Sequence, residues 1–470
     1  MTLIDRPETV AETVSETVAE TVAEAGPVTT PLLAPDYRWA TIGMVSLVFL
    51  AAFEALAVTT IMPSVSADLD GRAWFSAAFS VTLAASVVGM VAGGLWSDRC
   101  GPRLPLLVSV ALFAGGLLLA GLAPGIELFV AARFVQGLGA GAMTVALYVV
   151  VARIYAAIDH PRIFGAFAAA WVIPSMIGPS IAGVVGETVG WRWVFLGVVG
   201  LAVAATGMLL PALRELVDLP EPSAVATRGR LALAVVVAAA VVALDLAGRA
   251  AGAMGLLAAA AALVVVLVAV RPLLPAGTLV VRRGLPAVIA LRGAIAATFF
   301  ATEIYLPYLL QEHYGLSAWL SGATLTVGAL GWSGASQVQA SLGARLDHLT
   351  ALRIGAVLLL GGVAAELAGA ALHLSPWLVG AAWVVAGAGM GLMYPRISAL
   401  VLAASTEREQ GGNSAAMSIS DAVGGATAIS LAGLVFTGVG TAADLSAFVA
   451  ALSLTTALAV GALLVSRRTA

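Results

Sequence analysis

Four carboxylates stand inside long apolar stretches of the sequence: Glu54, Glu303, Glu366 and Asp421. Arg133 stands in another. A charge at the centre of a bilayer costs about 2.5 kcal/mol or more, so each must be paired, hydrated or neutralised. Acids of that kind do proton chemistry, because burial favours the neutral form and a nearby guanidinium favours the carboxylate. Counted at a rise of about 1.5 Å per residue, Glu54, Arg133 and Glu303 lie roughly 20–27 Å from one membrane face and can share a layer. Glu54 balanced against Arg133 is therefore the first candidate for proton coupling, with a fixed structural Glu–Arg pair as the competing reading. Glu303 is the second. Asp421, deeper toward the same face, is a gating or further proton residue, with a structural role as the other reading. Glu366 falls near the opposite interface, where a plain polar contact is the simpler reading.

Other side chains suit a binding cavity. Tyr305 and Tyr308 flank Glu303 and can stack on a lipophilic ligand. The stretch 318–340 carries Thr326, Trp332, Ser333, Gln337 and Gln339, a high polar density for a buried helix. With Phe53 beside Glu54 and Gln136 beside Arg133, the candidate substrate cavity is Phe53, Gln136, Tyr305, Tyr308, Thr326, Trp332 and Gln337. Arg396 reads as a side chain snorkelling to the interface. The single cysteine and the four scattered histidines leave no expected metal site, and no cofactor is expected.

The elements that position these residues are membrane spans. The chain has 470 residues, 61% hydrophobic and 10% charged, against about 25% charged in a soluble domain. Apolar runs fall at 40–61, 74–95, 104–123, 126–152, 163–185 and 190–211. A polar linker at 214–230 leads to runs at 231–247 and 251–270, separated by a charged turn at 245–249. Six more follow at 285–311, 318–340, 352–371, 377–403, 412–436 and 444–466. Each approaches the roughly 20 residues that a spanning helix needs. The count is fourteen, arranged six, two and six, or twelve if 231–270 dips in without crossing.

All 23 basic residues are Arg, which reads as base composition rather than chemistry and points to a GC-rich bacterium. With the N-terminus inside, seventeen of them fall on the cytoplasmic side, among them Arg99, Arg103, Arg153, Arg282, Arg353 and Arg468. Only Arg72, Arg192 and Arg249 face outward, as the positive-inside rule requires. Both termini are then cytoplasmic, in a bacterial inner membrane. Residues 1–37, with an acidic Glu-Thr-Val-Ala repeat, read as a disordered tail. Beyond it the expected organisation is 38–213, a six-helix bundle; 214–284, a linker with two extra helices; and 285–470, a second six-helix bundle. The net charge of −3 argues for no nucleic-acid partner.

Three segments carry a resemblance. The first, 93–103, supplies Gly94, Leu95, Asp98, Arg99, Gly101 and Arg103 between two apolar runs. It resembles the signature gating loop between the second and third helices of the major facilitator superfamily. In the second, Arg133, Gln136, Gly137, Gly141 and Thr144 share one helix face. Its Arg resembles the one thought to tune a nearby acid in the antiporters of this superfamily; a snorkelling structural Arg is the competing reading. The third segment, with Pro174, Gly178, Pro179, Ala182 and Gly183, is similar to the superfamily's antiporter motif, although Pro174 and Ala182 replace glycines. Plain helix packing is the alternative there. Trp191-Arg192-Trp193 follows as the drug exporters lead one to expect. Phe53 to Pro63 resembles the first-helix motif with Glu54 in place of the commoner Asp. Gly343, Arg345 and Asp347 look like a worn second copy of the signature loop, in keeping with an internal repeat.

Fourteen spans place the chain nearest the fourteen-helix branch of the drug–proton antiporters. The resemblance implies an all-α integral membrane protein with the major facilitator fold: two six-helix bundles plus two extra central helices. It implies a monomeric proton-coupled exporter of lipophilic, possibly cationic, small molecules, working by alternating access. Export of an endogenous lipid or secondary metabolite, or proton-coupled nutrient import, are the alternatives. A membrane enzyme would need a nucleophile–base set or metal cluster that the sequence does not offer.

Overall fold

A computed structural model describes residues 31–35, 37–156, 159–216, 227–248, 252–406 and 409–469. The acidic repeat of the tail lies outside these residues. In hydrocarbon a backbone must satisfy its own polar groups, which leaves helices as the form for long apolar runs such as these. The described residues accordingly form fourteen long helices and no strand. They are α1 (Arg38–Asp68), α2 (Ala77–Cys100), α3 (Arg103–Gly121), α4 (Ile126–Ile154), α5 (His160–Val185) and α6 (Arg192–Glu215). Then come α7 (Thr227–Ala247), α8 (Gly252–Val270), α9 (Leu285–Glu312), α10 (Ala318–Leu342) and α11 (His348–Ala371). The last three are α12 (Pro376–Ala403), α13 (Gln410–Val439) and α14 (Leu445–Ser466). Thirteen are long and apolar enough to cross a membrane, so the chain is a multi-pass membrane protein. The fourteenth, α10, is long enough, but its Ser, Thr, Gln and Gly residues lower its mean hydropathy.

Two groups of helices pack mainly among themselves. In the first, α4 packs on α2 and α3, and α1 on α5 and α6; in the second, α12 packs on α10 and α11, and α9 on α13 and α14. The α7–α8 hairpin lies against α2 and α13, one helix from each group. The same device holds both groups together. On α4 a Cβ at Gly137 or Gly141 would run into the backbone oxygens of Thr82 and Ser86 on α2. On α12 a Cβ at Gly387 or Gly391 would run into those of Gly328 and Trp332 on α10. Bare glycines four residues apart bring the helix backbones into contact, the usual route to tight packing where lipid gives no hydrophobic drive.

Three local expectations change. The segment 93–103 is mostly helix: Gly94, Asp98 and Arg99 belong to α2 and Arg103 opens α3, so the turn is only Gly101 and Pro102, with Gly101 at φ 74°. Apolar patterning fades at Trp96, where helical hydrogen bonding does not. Asp245 lies inside α7 rather than in a turn after it. Glu366, five residues from the end of α11, is fully buried and neither of its oxygens has a hydrogen-bond partner, so the plain polar contact expected of it is not made.

Candidate functional site

The most concentrated polar chemistry sits where α1, α2 and α4 meet. Arg133 on α4 donates through Nη1 to Glu54 Oε1 on α1 and to Gln136 Oε1 one turn along. Its Nε donates to Ala78 O on α2 at 3.1 Å. All three side chains are buried, Glu54 and Arg133 at 3% exposure and Gln136 at 0%. The glycine seam places Gly137 and Gly141 one and two turns beyond Arg133, which sets the guanidinium against α2. Gln136 Nε2 is buried without an acceptor, an orphan donor that a ligand or a rearranged carboxylate would satisfy. Phe53 lies beside Glu54, with its ring against Gly178 of α5.

A second polar group lies on α9, α12 and α13. Arg292 Nε donates to Asp421 Oδ1 at 2.7 Å, and Tyr394 OH donates to the same oxygen at 2.6 Å. The guanidinium also stacks over the Tyr394 ring, 3.2 Å from its centroid. Trp332 meets Tyr394 edge-on at 4.9 Å and Phe299 at 5.4 Å, and Phe299 stacks on Trp383 at 4.3 Å. Neither Arg292 nor Tyr394 stands out in the sequence. Arg292 resembles an ordinary span-end arginine, although Asp421 in another apolar run signals that some cation must face it. Tyr394→Phe is expected to cost about 1.5–3 kcal/mol, the worth of a hydrogen bond to a charged acceptor. A thermal-unfolding comparison with the parent checks this.

The remaining candidates are dispersed. Glu303 is buried on α9, and neither a hydrogen bond nor an ion pair joins it to Glu54 or Arg133. Tyr305 and Tyr308 do not accompany it, because residues two and five apart point about 160° and about 140° away around a helix. Both rings are buried in an aromatic group: Tyr308 stacks on Phe75 at 4.2 Å and meets Phe448 at 5.4 Å, and Tyr305 lies 5.2 Å from Phe436. Thr326 is half-buried and Gln337 exposed. Gln339 is tied down, accepting from Arg396 Nε at 2.8 Å, while Arg396 Nη2 donates to Gly343 O at 3.2 Å. Arg396 thus caps the end of α10 instead of reaching only for the interface. Asp347 accepts from Thr350 N–H at 3.0 Å at the start of α11. The hydrogen bonds from Thr350 hold its carboxyl below the usual carboxylate range.

The two helix groups meet at the end opposite the signature-like turn. A Cβ on Gly183 of α5 would lie 2.5 Å from Trp319 Cα of α10, and one on Gly322 would lie 2.5 Å from Pro179 O. Ser180 and Thr326 hydroxyls are 3.2 Å apart. Gln311 Nε2 donates to Thr60 O at 3.0 Å, and Arg72 pairs with Glu312 at 3.3 Å. Pro174, Gly178, Pro179 and Gly183 thus lie on the helix that touches α1 on one side and α10 on the other. At the same end Asp68 of α1 accepts from Trp191 Nε1 at 3.0 Å and Arg192 Nη1 at 2.8 Å.

Residues 44–429 match the family model described as Major Facilitator Superfamily. Among curated proteins, an uncharacterised transporter of Schizosaccharomyces pombe is 31% identical over 169 residues, 35% of this chain and 28% of that protein. An uncharacterised MFS-type transporter of Mycobacterium tuberculosis is 32% identical over 181 residues, 37% of this chain and 30% of that protein. An MFS efflux transporter of Aspergillus oryzae is 33% identical over 168 residues, 34% of this chain and 30% of that protein. The matched stretch spans less than a third of each of these relatives. Among solved structures, an auto-inhibited POT family peptide transporter superposes with TM-score 0.66 at 16% identity, over 91% of this chain and 97% of that one. A POT family transporter in complex with 5-aminolevulinic acid gives 0.67 at 13% identity, over 91% and 94%. At that identity the likeness is one of fold.

Proposed function

Since the chain belongs to the Major Facilitator Superfamily, a family of transporters rather than enzymes, we propose that it is a proton-coupled antiporter. It exports lipophilic small molecules, cationic ones among them, by alternating access. The buried Glu54–Arg133–Gln136 group carries this reading. Glu54 faces Arg133 in a buried ion pair. A proton arriving from the side opposite the Arg-rich turns neutralises it and releases the guanidinium to Gln136 and Ala78 O. A lipophilic cation competes for the same carboxylate, so proton and substrate exclude each other. Asp421, held by Arg292 and Tyr394, is the second charged station, and Glu303 a further proton site. Phe53, Gln136, Trp332 and Thr326 contribute to the cavity wall, with Gln337 toward its mouth. The aromatic group of Phe299, Trp332, Trp383 and Tyr394 supports an apolar substrate.

In this reading 38–213 and 285–470 are the rocking halves and 214–284 connects them. The helix end bearing Gly94, Asp98, Arg99, Gly101 and Arg103 is the cytoplasmic gate. The antiporter-like segment of α5 is the seam on which the halves rock. The arginine bias supports cytoplasmic termini, and in this reading the protein acts as a monomer in a bacterial inner membrane. A second reading, export of a secondary metabolite, is favoured by a matched relative named as the MFS-type transporter of the acurin A biosynthesis cluster of Aspergillus aculeatus.

The test is a toxicity panel in an efflux-deficient bacterial host, comparing the parent with Glu54→Gln at matched expression. Resistance to some lipophilic compounds, lost in the variant, is the expected result. Protection retained by the variant removes Glu54 as the coupling residue. Absence of protection by the parent moves the reading to a dedicated metabolite or an imported nutrient.

A further inference from the structure

The α7–α8 hairpin is the part of the chain to which neither motif nor span count gives a task. One acid changes that. Asp245, two residues from the end of α7, is buried at 8% exposure. Its Oδ1 accepts from Ser76 Oγ at 3.2 Å; its Oδ2 accepts from Ser80 Oγ and, at 2.9 Å, from Ser430 Oγ. Ser76 and Ser80 lie at the start of α2, in the first helix group, and Ser430 lies on α13, in the second. All three hydroxyls are buried. Contact between the groups here is close, since a Cβ on Gly433 would run into Ser76 Oγ. The hairpin is seated on α13 by apolar packing of Leu244, Ala247, Ala259 and Ala262 against Leu431 and Leu434. Thr437 Oγ1 adds a bond to Gly248 O at 3.4 Å.

We propose that Asp245 is a positioning residue of the transport cycle: it latches α2 to α13 through serine hydroxyls and makes the extra hairpin a clasp on the closed end of the molecule. The proposal rests on the rocking of the two halves stated above. The argument is geometric. The closed end is also where Gly183 meets Trp319, Gln311 meets Thr60 and Arg72 meets Glu312. If the halves part there, Ser76 and Ser80 move one way and Ser430 the other. Asp245 rides on a single helix already anchored to α13, so it follows Ser430 and loses the α2 hydroxyls. A buried carboxylate that loses two of its hydrogen bonds is destabilised. The two bonds from the α2 serines therefore exist only with this end shut, and each of them weights the equilibrium toward that state. An anchor for the hairpin alone would need only Ser430 on α13. The pair of serines on α2, one helical turn apart and aimed at the same carboxylate, is what turns an anchor into a clasp.

Spin labels at Leu122→Cys and Leu372→Cys, in a Cys100→Ser background, report the distance across this end in the full-length protein in nanodiscs. Both positions are exposed at helix ends, one in each group. Ser76→Ala and Ser80→Ala, which remove only a hydroxyl on the α2 side, are each expected to raise the open-to-closed ratio about tenfold, and Asp245→Ala more. Asp245→Asn, which still offers an acceptor oxygen, is expected to recover part of the closed population. A purely structural role predicts a lower melting temperature with an unchanged distance distribution. That pattern in the serine variants overturns the clasp even if Asp245→Ala fails to fold. A single distance in the parent and every variant overturns the rocking itself, and the clasp with it.

Discussion

Replacing Arg133 alone with methionine is expected to cost about 3–5 kcal/mol of stability, because it leaves the Glu54 carboxylate buried without its countercharge. Replacing both partners, Glu54→Leu with Arg133→Met, is expected to recover most of that loss. Desolvating two charges nearly cancels their attraction, so an apolar pair of similar volume can serve as well. Orphaning Gln136 Oε1, which also accepts from Arg133, keeps the recovery incomplete. Melting of the purified variants in detergent, followed by loss of the monodisperse species, measures both effects. Transport separates the competing readings of the pair. If it is only structural, the double variant regains export along with stability. If it couples protons, the double variant folds and remains inactive, since nothing is left for the proton and the substrate to compete over.

That contrast bears on how much of the molecule could be read before its structure. The spans were legible because hydrocarbon imposes a single demand, about twenty apolar residues with internally bonded backbone. A charge in such a run is conspicuous for the same reason, which is why Glu54 and Arg133 stood out. Partners and facing were not legible. Arg292 sits near a helix start, where arginines normally mark the membrane face, and its bond to Asp421 spans 129 residues. Asp245 reads as a turn because it is followed by Arg249, a position outside the described residues. Its serines, 165 to 185 residues away, carry no signal, since a serine in an apolar helix ordinarily bonds its own backbone. Tyr305 and Tyr308 failed to join Glu303 for a simpler reason. Closeness in sequence is not closeness in space, and helical angle separates them.

Gly141→Leu is expected to abolish the folded protein, with Gly391→Leu doing the same in the second helix group. Each side chain would have to enter the backbone of the facing helix, at Ser86 on α2 or Trp332 on α10. A flexible neighbour could swing aside, but a carbonyl in a hydrogen-bonded helix cannot, so the two helices must part. The milder Gly141→Ala is expected to cost about 1–3 kcal/mol. Gly94→Ala is the control: it lies on α2, and its Cβ would meet only Val145 Cγ1 at 3.6 Å, an ordinary contact. Melting temperatures of the two alanine variants decide the matter, and equal values would remove the backbone seam as the cause. The chemistry adds a second consequence. One turn before the first seam glycine of α4 stands Arg133, and one turn before that of α12 stands Trp383. The two groups therefore share a packing device and differ in what it positions: an ion pair with Glu54 in one, an aromatic stack on Phe299 in the other. Gly137→Ala, nearest to Arg133, is expected to pull the guanidinium from Glu54 and to lose export at a temperature where the protein is still folded. Gly387→Ala is expected to shift substrate preference instead, because what it moves is an aromatic wall and not the site of the proton.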